Sequence, residues 1–133
     1  MIDHISFSVN DFDESVRFYD ATLACLGFDR LMTFESNEHR VAGYGKDNKP
    51  FFWIGVNSSP NSDEMIGRVQ GFHVAFRAPS IDAIQIWYDL CLSLGGKNNG
   101  LPGTRPEYHP GYYAAFVIDP NGYRIEAVLH DFQ

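Results

Sequence analysis

Two of the five histidines in this chain, His4 and His73, open matching hexapeptides: HISFSV from His4 to Val9 and HVAFRA from His73 to Ala78. A third group with related chemistry is Glu126, set in the apolar run YRIEAVLH from Tyr123 to His130. Strand alternation along that run gives Arg124, Glu126, Val128 and His130 one face and Ile125, Ala127 and Leu129 the other. A carboxylate buried unpaired in such a strand would cost several kcal/mol, so Glu126 needs a compensating partner or water. Two neutral imidazoles and one carboxylate make the ligand set of a facial triad, which suits Fe(II) or another first-row divalent ion. His4, His73 and Glu126 are therefore the expected metal ligands, with Fe, Mn, Ni or Zn as the ion. Three protein ligands leave positions for water or substrate, an arrangement that suits catalysis better than a closed structural site.

The elements that must position these groups occur twice. At an offset of 69 residues Phe7 matches Phe76, Tyr19 matches Tyr88, Asp20 matches Asp89, Leu23 matches Leu92 and Gly27 matches Gly96. In the first copy, Ile2 to Val9 alternates as a strand with Ile5, Phe7 and Val9 on one face and His4, Ser6 and Ser8 on the other. Asp11 then caps a helix, with Glu14 three residues on and apolar residues at Phe12, Val16, Tyr19, Leu23 and Leu26 before Gly27 closes it. Leu31 to Val56 reads as strands, with a connection over GYGKDNKP from Gly43 to Pro50 and a final aromatic strand FFWIGV. The second copy repeats the pattern. Ser80 caps a helix with the stripe Ile81, Ile84, Tyr88, Cys91 and Leu92, and Gly95-Gly96 ends it. A long Gly/Pro-rich loop is expected up to Gly111, then the strand YYAAFVID, a DPNG turn from Asp119 to Gly122, and the last strand. The expected organisation is one domain, 1–133, made of repeats 1–56 and 71–130 joined by a polar connector from Asn57 to Gln70.

The repeat also predicts a fourth ligand, because FFWIGV is the counterpart of RIEAVL and its third residue is Trp53 where the second copy has Glu126. An indole cannot ligate a metal, so Trp53 is read as a stacking wall for substrate. In the expected loop, Arg105, Tyr108, His109, Tyr112 and Tyr113 cluster along RPEYHPGYY. His109 is a candidate general acid or base because an imidazole titrates near neutrality. Tyr113 joins it as a candidate catalytic group, while Arg105, which could neutralise an oxyanion, and Tyr108 are candidates for substrate binding. His39 and His130 are not assigned to the metal.

Composition narrows the partners. Seventeen acids against ten Lys plus Arg leave a formal charge of −7, which opposes the counterion release that drives nucleic-acid binding. The start, MIDHISF, lacks a basic segment followed by an apolar one, and no apolar run reaches membrane-spanning length. A cytoplasmic protein acting on a small molecule, with no nucleic-acid or membrane partner, is the expectation. Two cysteines, Cys25 and Cys91, both on expected helices, make no disulfide framework and read as small buried hydrophobes.

The duplicated β-α-β-β-β halves, the first-strand histidines His4 and His73, and the DPNG turn four residues before Glu126 resemble the vicinal oxygen chelate superfamily, over almost the whole chain. That group includes glyoxalase I, extradiol dioxygenases, methylmalonyl-CoA epimerase, fosfomycin-modifying enzymes and bleomycin-binding proteins. The resemblance implies an α+β fold, two paired β-α-β-β-β modules forming a curled mixed sheet around a central cleft with helices outside. It also implies a homodimer, and a divalent ion held by His4, His73 and Glu126 that chelates two substrate oxygens and stabilises an oxyanion in lyase, isomerase or dioxygenase chemistry. Glyoxalase I-like members carry a glutamate near the end of the first half, where this chain has Trp53. The other reading is a non-catalytic, bleomycin-resistance-like binding protein holding an aromatic ligand beside a vestigial metal site.

Overall fold

The computed structural model describes residues 1–57 and 68–131. The chain divides into two compact units, Met1–Glu64 and Met65–Gln133. Most of the expected connector from Asn57 to Gln70 lies outside the described residues.

The first unit runs β1 (Ile5–Ser8), α1 (Phe12–Ala24), β2 (Asp29–Glu35), β3 (His39–Lys46) and β4 (Lys49–Asn57). Its sheet has the order β1-β4-β3-β2, with β1 parallel to β4 and the remaining pairs antiparallel. The second unit runs β5 (Val74–Arg77), α2 (Ile81–Ser93), β6 (Lys97–Thr104), β7 (Tyr112–Ile118) and β8 (Arg124–His130). Its sheet repeats the arrangement as β5-β8-β7-β6, with β5 parallel to β8. Two four-stranded mixed sheets, each carrying one helix, make this an α+β fold.

Local chemistry explains the boundaries. The Asp11 carboxylate accepts from the Glu14 N–H at 3.1 Å and the Ser80 hydroxyl accepts from the Ala83 N–H at 3.1 Å, so both expected N-caps form. The 69-residue register holds to the helix ends and then slips by one. Gly95, not Gly96, takes the left-handed position that Gly27 takes in the first unit (φ +99° and +92°). Gly96 is needed for another reason: a Cβ there would stand 2.7 Å from the Cys91 carbonyl oxygen.

Each helix covers one face of its own sheet. In the first unit Phe18, Tyr19 and Leu23 of α1 pack with Phe7, Tyr44, Phe52 and Ile54 of the strands, all at most 3% exposed. The Tyr19 ring lies 4.9 Å from that of Phe52. In the second unit Ile84, Trp87 and Cys91 are fully buried, with Val117, Ile125 and Ala127 from the sheet. Trp87 belongs to that stripe, whereas Ile81 and Leu92 are 45% and 38% exposed. Fully burying side chains of this size contributes roughly 1.5–3 kcal/mol each.

Two expected loops are strand instead. The connection over Gly43 to Pro50 shrinks to a two-residue turn, because Asp47 and Asn48 both adopt positive φ (53° and 63°), the requirement of a type I′ hairpin. The long loop expected up to Gly111 is mostly β6, leaving 105–111 as the connection. Its composition, KNNGLPGT, is tolerated because β6 is an edge strand, where Pro102 interrupts no second ladder and register shifts fall at Gly100 and Gly103.

Candidate functional site

Glu126 sits in β8, between β5 and β7, with Ala75 opposite on one side and Phe116 on the other. It is 1% exposed. Both carboxylate oxygens have partners. The Tyr112 hydroxyl donates to Oε2, and Oε1 lies 3.0 Å from Nε2 of His73, the residue just before β5. Two lone pairs facing each other across that gap would repel, so either an Nε2–H of His73 donates to Oε1 or a cation lies between the two atoms. The donor set, one imidazole nitrogen and one carboxylate oxygen converging with half of the imidazole surface exposed, fits a first-row divalent ion.

The hairpin sets who reaches this carboxylate. With the Asp119 side chain accepting from the Asn121 and Tyr123 N–H groups, the turn places Ile118 opposite Arg124, Phe116 opposite Glu126 and Tyr112 opposite His130. Even-numbered residues of β7 therefore share the face of Glu126. Tyr113 faces α2, where its hydroxyl accepts from the Gln85 amide at 3.2 Å. The structure thus brings Tyr112, rather than the sequence candidate Tyr113, to the carboxylate. Burial, then the hydrogen bond and charge of Glu126, push the Tyr112 hydroxyl well above the ordinary phenol pKa.

Around this pair lie the other candidates of the second unit. The Phe116 ring packs edge-on to His73 at 6.2 Å, and the Arg105 guanidinium stands over Phe116 at 5.3 Å from its centroid. Arg105 also donates to the carbonyls of Leu101 (2.7 Å) and Thr104 (3.2 Å). Tyr108, exposed, packs its ring edge-on to Tyr112 at 5.0 Å. His109 does not reach Glu126. Its Nδ1 lies 2.6 Å from the Pro110 carbonyl, which only accepts, so Nδ1 carries a proton, and its Nε2 lies 3.2 Å from His130 Nδ1. The Tyr112 ring lies 5.3 Å from each of these imidazoles.

In the first unit, Trp53 stands opposite Ser6 as Glu126 stands opposite Ala75, so the two positions are structurally equivalent. The indole lies against Gly43, its cross-strand neighbour, where a Cβ would come within 2.7 Å of the ring. Phe34 stacks alongside at 6.3 Å and 14°. His4 precedes β1 as His73 precedes β5, and its Nδ1 is 2.7 Å from the Asp3 carboxylate. An ionised carboxylate only accepts, so Nδ1 carries the proton of this contact and Nε2 is the nitrogen turned away from Asp3. A carboxylate on one ring nitrogen fixes the orientation of an imidazole. The His4 hydrogen bond, with Lys49 adding to it, lowers the Asp3 pKa. An open pocket of about 610 Å³ is lined by Asp3, His4, Ser6, Lys49 and Trp53 among others.

Residues 1–127 match the Glyoxalase/Bleomycin resistance protein/Dioxygenase superfamily. The chain belongs to this superfamily. It is 31% identical over 128 residues, 94% of this chain and 92% of the relative, to a probable lactoylglutathione lyase from Synechocystis. Among solved structures, a glyoxalase/bleomycin resistance protein from Albidiferax ferrireducens superposes with TM-score 0.71 at 25% identity, covering 94% of this chain and 95% of that one. A glyoxalase I mutant from Zea mays gives TM-score 0.73 at 18% identity over 94% of this chain and 45% of its own, a likeness of fold.

Sequence reasoning missed Asp3, and it placed Tyr112 among the loop candidates without its contact to Glu126. Asp3 is adjacent to His4, and Tyr112 follows once DPNG fixes the hairpin register, so both signals lie in the sequence. Among the described residues no single cluster of three or more His, Cys, Asp or Glu groups forms a metal site; His73 with Glu126 belongs to the second unit and His4 to the first.

Proposed function

We propose that this protein is a divalent-metal-dependent enzyme of the glyoxalase type, acting on a small substrate that presents two oxygens. The observation that carries the reading is the buried Glu126 carboxylate with its Oε1 3.0 Å from His73 Nε2, because an imidazole nitrogen and a carboxylate oxygen so placed are two converging ligands for a divalent ion. His4, oriented by Asp3, is the third ligand, and the ion is Fe, Mn, Ni or Zn. Such an ion supplies Lewis acidity that stabilises an oxyanion. His109 holds a proton at Nδ1 and is linked through Nε2 to His130, and we assign proton transfer to this pair. Trp53, Arg105 and Tyr108 are proposed to contact substrate, the indole through its apolar face. Lyase chemistry is favoured by the name of the Synechocystis relative; isomerase and dioxygenase chemistry share the ligand set. We further propose one domain of two repeats, a homodimer and a cytoplasmic location; among the described residues no helix is long and apolar enough to cross a membrane.

One observation favours a second reading. Trp53, stacked on Phe34 in the position equivalent to Glu126, suits a binding protein that holds a planar ligand without turnover. A panel of hemithioacetals, aromatic diols and epoxides, assayed with metal-free and metal-loaded protein and an oxygen electrode, separates the readings. Metal-dependent turnover of one class is expected. Saturable quenching of indole emission by an aromatic ligand, with no turnover of any class under any metal, would establish the binding protein instead.

A further inference from the structure

The metal reading treats Glu126 as a ligand without saying which oxygen it offers or what holds it. We infer that Tyr112 is a positioning residue for Glu126: its hydroxyl occupies Oε2 and thereby presents Oε1, beside His73 Nε2, as the oxygen offered to a cation. This rests on the metalloenzyme reading above.

Three observations carry it. First, the two carboxylate oxygens are differentiated, Oε2 accepting from Tyr112 and Oε1 facing His73 at 3.0 Å. An ionised carboxylate has roughly four lone-pair directions, so the Tyr112 hydroxyl leaves Oε1 its full capacity while biasing Oε2 away from coordination. Second, the hydroxyl is anchored independently of any ion. Tyr112 and Glu126 are on adjacent antiparallel strands whose register is locked by the Asp119 turn. The Tyr112 ring is further held by Tyr108 (5.0 Å), His109 (5.3 Å) and His130 (5.3 Å). Third, Glu126 is 1% exposed, so water has little access to replace the phenol as donor. A hydrogen-bonded partner behind a ligand fixes its orientation, and losing one typically weakens metal binding by roughly 10–100-fold.

The test is a cobalt(II) titration of the full-length protein, read by visible absorption. In Tyr112→Phe, Kd should rise by roughly 10–100-fold and the cobalt band should shift, because Oε2 is released to coordinate. In a Glu126→Gln background the same substitution should change Kd by less than about twofold, since the coupling runs through that carboxylate. Tyr113→Phe, whose hydroxyl meets Gln85, should leave Kd and band at wild-type values. A Tyr112→Phe protein that binds cobalt with wild-type Kd and spectrum, even with lowered Tm, would show a structural role only and overturn the inference. Should Tyr112→Phe fail to fold, wild-type X-ray absorption decides: one carboxylate oxygen at the cobalt supports the inference and two overturn it. Wild-type protein that binds no cobalt defeats the metalloenzyme reading and this inference together, an outcome distinct from a variant that binds normally.

Discussion

At the scale of single residues, chemistry follows from what each polar group faces. His4 and His73 hold corresponding places, yet His4 meets the Asp3 carboxylate and His73 the Glu126 carboxylate. The need of Glu126 for a partner was legible in an apolar strand with one acid in it. The identity of that partner was not, because Tyr112 and Tyr113 are adjacent and only the hairpin register separates the face of Glu126 from the face of α2. Of the two cysteines expected to be buried, Cys91 is, whereas Cys25 is only half-buried. Cys25 ends α1 and its thiol donates to the Thr22 carbonyl at 3.0 Å. Burial pushes its pKa up to about 11, so its thiolate is scarce at neutral pH. Iodoacetamide should therefore modify Cys25 of the native protein roughly a hundredfold more slowly than an unperturbed thiol at pH 8, with a rate still climbing above pH 10. Alkylation at the rate of a model thiol, followed by mass spectrometry, would contradict that placement.

At the scale of elements, the sequence carried the helices and central strands well because caps and alternation are local signals. It misassigned β6 because edge position, which excuses Pro102 and the glycines, is a property of the assembled sheet. Gly43 illustrates a cross-strand requirement. Its missing side chain makes room for the Trp53 ring on the next strand. Gly43→Ala should destabilise the fold by roughly 1–3 kcal/mol through overpacking and shift Trp53 emission, read by urea unfolding and by fluorescence against a Trp53→Phe control. Unchanged stability and emission would mean the indole does not lie on that strand. The Asp119 turn makes a parallel case in the second unit. Asp119 is 3% exposed and accepts from two backbone N–H groups, so Asp119→Ala should cost roughly 1–3 kcal/mol by leaving buried donors unsatisfied. If the metalloenzyme proposal holds, Asp119→Ala should also raise the cobalt Kd, since the same turn sets the register between Tyr112 and Glu126.

At the scale of the whole molecule, duplication is what made the fold legible. One register of 69 residues predicted two copies of one unit, and the sheets repeat strand for strand. That register loses accuracy beyond the helices, where one residue is dropped and the loops diverge; Trp53 matches Glu126 by alignment of the last strands, FFWIGV with RIEAVL, and the strand pairings agree. The central proposal is that His73 and Glu126, with His4 as third ligand, hold one divalent ion. Its most direct test is elemental analysis of tag-free protein purified anaerobically, beside His4→Ala, His73→Ala and Glu126→Ala, with metal counted per chain. The account predicts about one Fe, Mn, Ni or Zn per wild-type chain, lost in each of the three variants. Wild-type protein that retains none of these ions after reloading with each, or variants that keep the full complement, would contradict it.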